Sequence, residues 1–197
     1  MDNARSEVAN ASYREWESCF ARLDNDSRIH LFRRAASEVT RRDRTSGRHW
    51  TSLFGILNEA RGYNYLQELG YIKIKFIPRS SIQTPDIQGS ASFGDALLEV
   101  KTINKSDVDI SQMDTLQEAH LGLPDGLKQK LASDYKNACN QLNSFPMKDP
   151  ARRICFFCIT LDLRVVLADS NKKALDNYLN SIQKDCEIYH ESRFWRS

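Results

Sequence analysis

Pro85-Asp86 is followed, thirteen positions after the aspartate, by Glu99-Val100-Lys101. In an extended strand residues i and i+2 share a face, so Glu99 and Lys101 project together while Leu98 and Val100 turn into a core. A hairpin that folds Asp86 back against this strand sets a second carboxylate beside Glu99. Two adjacent carboxylates repel, which raises at least one pKa unless a cation lies between them. Ligands that are all oxygen, without clustered His or Cys, select a hard ion, Mg²⁺ with Mn²⁺ as its substitute, and not zinc. Beside such an ion and partly desolvated, the Lys101 ammonium is pushed toward its neutral form and can orient or deprotonate the attacking water. It can instead stabilise the negative charge that develops on a phosphorane. An ion, a water and a lysine together make a site for phosphodiester hydrolysis.

Other chemistries find less support. Cys155 and Cys158 have the spacing of a zinc half-site, but Phe156 and Phe157 lie between them and no second Cys/His pair follows, so they read as core thiols. The histidines (30, 49, 120, 190) are dispersed, with no H-E-x-x-H run, nucleophile elbow or phosphate-binding glycine loop. Five cysteines, an odd number in a chain with ample other core, imply reduced thiols rather than a disulfide framework. With 197 residues, 41% of them hydrophobic, and a mean hydropathy of −0.56, the chain is expected to be a soluble globular protein with one principal core. No apolar run approaches a membrane span, and the start lacks the basic and apolar regions of a secretory signal, so the cytoplasm is the expected location. The net charge of +2 hides a local excess: between Arg28 and Trp50 stand seven arginines against Glu38 and Asp43. Such a segment suits phosphates, with a solvated helix face as the alternative.

The elements that must position these residues can be read from periodicity. Two helices are expected before residue 50, the second capped at Asn25-Asp26-Ser27, and a third from Thr51 or Ser52 with Leu53, Ile56, Leu57, Ala60, Tyr63, Leu66 and Leu69 buried until Gly70. Ile72, Ile74 and Phe76 then alternate as a strand, Thr84 to Ile87 reads as a second, Gln88 to Asp95 as the turn and Ala96 to Lys101 as a third. Asp125-Gly126 opens a helix with Leu127, Leu131, Tyr135, Ala138 and Leu142 on one face. Arg153 to Thr160 is a strand buried on both faces, with Arg164 to Ala168 as a partner strand and a last helix over Asn171 to Ile182. The expectation is an α/β core with a central mixed sheet of four to five strands flanked by helices, plus an N-terminal helical pair. Residues 1–50 are read as that extension and residues 51–197 as the main domain.

Pro85-Asp86 with Glu99-Val100-Lys101 resembles the signature of the restriction-endonuclease-like, or PD-(D/E)xK, nucleases: Pro-Asp, a spacer, then Asp or Glu, an apolar residue and Lys. Many members, Holliday junction resolvases among them, also use a glutamate on the helix before the first strand, and Glu59, eleven residues ahead of Gly70, is similarly placed. The order of elements over residues 52–168 matches the family core. The resemblance implies a restriction-endonuclease-like fold with Asp86, Glu99, Lys101 and Glu59 as the catalytic set. In it Asp86 and Glu99 would hold Mg²⁺ and Glu59 would act as a supporting ligand or base. Glu68, nine residues after Glu59, falls two and a half turns away on the opposite side of the helix, so both cannot serve. Lys130 and Gln141, on the helix after the signature, are expected to reach the site or the nucleic acid.

The implied function is a metal-dependent endonuclease acting on DNA, in restriction, repair, junction resolution or phage defence. Arg41, Arg42, Arg44 and Arg48 would hold the phosphate backbone, and Arg34, Arg41 and Arg48 would form one stripe if the helix ran that far. A non-cleaving nucleic-acid-binding or regulatory module on the same fold is the second reading, and RNA as substrate the third; a homodimer stays open.

Overall fold

The computed structural model describes residues 14, 16–40, 51–78, 83–103, 123, 125–147, 151–162 and 169–195. They form α1 (Asn25–Thr40), α2 (Thr51–Glu68), β1 (Lys75–Phe76), β2 (Ile87–Ala91), β3 (Gly94–Ile103), α3 (Asp125–Ser144), β4 (Arg152–Asp162), α4 (Asp169–Ile182) and β5 (Glu187–Trp195). The strands make one five-stranded sheet in the order β1-β2-β3-β4-β5. β1, β2 and β3 pair antiparallel, and β3, β4 and β5 pair parallel. Parallel neighbours need a crossover, and α3 and α4 lie between the strands concerned. The result is the α/β architecture with a mixed sheet flanked by helices.

β4 is apolar at nearly every position because both of its faces are covered. Ile154, Phe156 and Cys158 join the core shared with α1 and α2, whereas Cys155, Phe157 and Ile159 join the core shared with α3 and α4. Fully burying side chains such as Phe156, Phe157, Leu98 and Leu131 contributes about 1.5–3 kcal/mol each relative to exposure. α2 buries Ile56, Ala60, Tyr63 and Leu66 along one stripe. It approaches the sheet closely at Gly62, where a Cβ would lie 2.8 Å from Leu98 Cδ2 and 2.9 Å from Val100 Cγ2. That approach fixes the height of α2 over β3, and the Asn58 side-chain amide donates to Thr102 Oγ1 at 3.0 Å. Leu23 and Leu31 carry α1 into the same core.

Several elements differ from their sequence expectation. The cap of α1 is Asp24: its carboxylate accepts the Ser27 N–H and Ser27 hydroxyl, each at 2.8 Å, one residue ahead of the expected Asn25-Asp26-Ser27. The first strand shrinks to Lys75–Phe76, and Ile72 is 79% exposed, because the Ile72 and Lys73 N–H groups both turn to the Ser90 carbonyl and break the alternation. The second strand begins at Ile87 and takes in Gly89, expected in the turn; at Gly89 a Cβ would meet the Tyr71 side chain at 3.1 Å. The turn is reduced to Ser92-Phe93. The outer neighbour of β4 is β5, in a segment whose residue pattern predicts no strand, and Arg164 to Ala168 lie outside the described residues. All five cysteines are free, and Cys155 and Cys158 face opposite sides of β4, which excludes a shared zinc half-site.

Candidate active site

β3 carries the centre of the site. It turns Ala96, Leu98 and Val100 toward α2 and Leu97, Glu99, Lys101 and Ile103 toward α3. The Ile87–Leu98 pairing leaves Asp86, one step beyond the ladder, level with Glu99. Asp86 Oδ2 accepts the Val100 N–H at 2.8 Å, and the Asp86 carbonyl accepts the Ile77 N–H at 2.8 Å, so both ends of the aspartate are pinned. Lys101 Nζ donates to Glu99 Oε1 at 2.8 Å and to Gln141 Oε1 on α3 at 2.9 Å. The Gln141 amide in turn makes a long contact, 3.4 Å, to the Thr84 carbonyl two residues before Asp86. The structure thus brings together Asp86, Glu99, Lys101 and Gln141.

Glu99 is only 4% exposed. Burial, reinforced by the charge of Asp86, raises its pKa far above the usual carboxylate range, and Lys101 opposes the rise without cancelling it. Its second oxygen, Oε2, is buried and has no hydrogen-bond partner among the described residues. For Lys101, burial alone would favour the neutral amine, but Glu99 and Asp86 outweigh it and raise the pKa. The push toward a neutral lysine is expected of an ion between the carboxylates; the two carboxylates by themselves favour the ammonium.

An orphaned buried carboxylate oxygen beside a second, repelling carboxylate fits a hard divalent cation. Among the described residues no group of three or more His, Cys, Asp or Glu is placed as a ligand set. Asp86 and Glu99 would hold the ion as a pair, which suits Mg²⁺, an ion that keeps several of its waters and takes one or two carboxylates.

Glu59 is buried on α2, and its carboxylate is gripped by both terminal nitrogens of Arg34 on α1: Nη2 donates to Oε1 at 2.7 Å, and Nη1 to Oε2. Arg34 is consequently no member of a solvent-facing stripe; its side chain is 18% exposed and turned inward. Burial would weaken its charge, but Glu59, together with Asp86 and Glu38, raises its pKa. Glu68 is exposed and pairs with Arg22 at 2.8 Å, away from Glu59. Lys130 pairs with Asp134 one turn along α3, at 3.0 Å, and stands about 16 Å along the helix axis from Gln141. It does not join the group. Arg41, Arg42, Arg44 and Arg48 lie outside the described residues. Nothing in the residue pattern of α1 signals that Arg34 points inward to Glu59.

No family model and no curated protein matches the chain. Among solved structures it is similar to that of SfsA from Pyrococcus furiosus in complex with Ca²⁺, at 15% identity and a TM-score of 0.28, over 76% of this chain. The match spans 58% of the SfsA chain.

Proposed function

We propose that the protein is a metal-dependent phosphodiesterase that cuts nucleic acid, DNA in the first place, at the site built on Asp86, Glu99 and Lys101. One observation carries this reading: Glu99 Oε2 is buried, receives no N–H or O–H donor from the described residues, and faces the Asp86 carboxylate. Such a pair is relieved either by a proton held between the two carboxylates or by a cation in its place. Mg²⁺ bound by Asp86 and Glu99 would neutralise charge on the phosphate and lower the pKa of the attacking water. Lys101, steered by Glu99 and Gln141, presents its ammonium to that water and to the charge developing on the phosphoryl oxygens. The Val100 N–H holds Asp86 in register with Glu99. No helix of the described residues is long and apolar enough to cross a membrane.

The test is incubation of labelled duplex, branched and single-stranded DNA, and of RNA, with Mg²⁺, Mn²⁺ or EDTA. Cleavage is expected with either ion and none with EDTA. Wild type should also gain melting temperature on adding Mn²⁺, a gain lost in Asp86→Asn and Glu99→Gln. Ion-independent binding without cleavage on every substrate would instead favour the non-cleaving module.

A further inference from the structure

Asp86 accepts the Val100 N–H of β3, Glu99 lies on the α3 face of that strand, and α2, which carries Glu59, covers its other face through Asn58 and Gly62; both glutamates are buried. Lys101 is the cation placed against Glu99, and Arg34 the one placed against Glu59. A guanidinium carries five N–H donors in a rigid fork, of which Glu59 engages two. The fork is fixed through its two terminal nitrogens, and the side chain stays 18% exposed. It also lies in the field of Asp86.

Anchoring alone does not explain it. α1 is already held by Leu23 and Leu31 in the core and by the Tyr63 hydroxyl, which donates to Asp24 at 2.6 Å. A buried ion pair is a weak source of stability compared with apolar residues of the same shape. A cation beside Glu59 would also face a guanidinium that already engages both carboxylate oxygens, which disfavours Glu59 as an ion ligand.

We propose that Arg34 grips a backbone phosphate of the nucleic acid at this site, and that Glu59 is the residue that aims it. This rests on the phosphodiesterase reading and extends it. An element outside the core signature, α1, supplies a substrate contact, and the carboxylate expected to bind the ion becomes a positioning residue.

The decisive variant is the double substitution Arg34→Met with Glu59→Leu, which removes both partners and leaves no unpaired buried charge; Arg34→Lys keeps the charge without the fork. Three readouts apply: anisotropy of a short fluorescent duplex in EDTA over a salt series, Mn²⁺ affinity by electron paramagnetic resonance, and KM against kcat with Mg²⁺. The folded double variant should bind Mn²⁺ as wild type does, bind duplex about tenfold more weakly and lose about one unit of salt slope. Arg34→Lys should raise KM more than it lowers kcat. Equal duplex binding and salt slope in wild type and the double variant would overturn the proposal, as would loss of Mn²⁺ affinity in the folded double variant, which would return Glu59 to the ion. If the double variant does not fold, wild-type KM and duplex affinity in Arg34→Lys overturn it instead. A wild type that binds duplex through Arg34 but never cleaves overturns the enzymatic reading alone.

Discussion

Lys101 sits where three demands meet: it donates to Glu99, it is oriented by Gln141, and it points the same way as the carboxylate two residues before it. Its ammonium is kept charged by Glu99 and Asp86 against the pull of burial, so it acts as a donor and a point charge. Lys101→Ala should lower cleavage about 10²–10⁴-fold, in the range of a positioned proton-handling group, while calorimetry still finds Mn²⁺ bound. Wild-type cleavage by this variant would remove Lys101 from the reaction. Glu99 shows the complementary logic: a buried unsatisfied polar group costs about 1–3 kcal/mol, a cost that a purely structural strand would shed by substituting an apolar residue.

At the scale of elements, the site depends on how α1 and α2 are held against the sheet. Gly62 sets α2 close to Leu98 and Val100, and the cap at Asp24 ties the start of α1 to Tyr63. Burial would raise the Asp24 pKa, but hydrogen bonds from the Ser27 N–H, the Tyr63 hydroxyl and the Ser27 hydroxyl outweigh it and lower the value. Burial, with the reciprocal bond, lifts Tyr63 to about 12. A carboxylate depressed on folding contributes stability that is present above its unfolded pKa and lost as pH falls through the folded value. Asp24→Ala should therefore cost about 1 kcal/mol at neutral pH, the usual cost of losing a cap. In urea unfolding the difference from wild type should shrink below about pH 4, where the wild-type carboxylate protonates too. A constant difference down to pH 3 would show that the aspartate acts through packing.

For the whole molecule, the arginine-rich stretch between α1 and α2 leads directly into the helix that carries Glu59. Changing Arg41 and Arg42 to Ala should weaken binding to all DNA sequences and flatten its salt dependence by up to about one unit of slope per lost phosphate contact, with turnover at saturation nearly unchanged. An unchanged slope, measured by anisotropy over a salt series, would show that the stretch does not touch phosphates.

The grouping of Asp86, Glu99 and Lys101 was legible from residue order, because strand alternation and a hairpin are local rules that act within about fifteen residues of chain. The same rules made α2, α3, β3 and β4 readable, each with a periodic apolar pattern long enough to stand out. The outcome was less legible wherever a distant partner made the choice. β5 is polar and irregular, and it is a strand because the parallel edge of β4 supplies its hydrogen bonds. Gly89 reads as a turn residue, and it lies in β2 because it pairs with Ala96, its missing side chain easing the close approach of Tyr71. The direction of Arg34 could not follow from its place in a basic run, since a helix face becomes inside or outside only when α1 docks on α2 and a buried carboxylate there needs a charge partner.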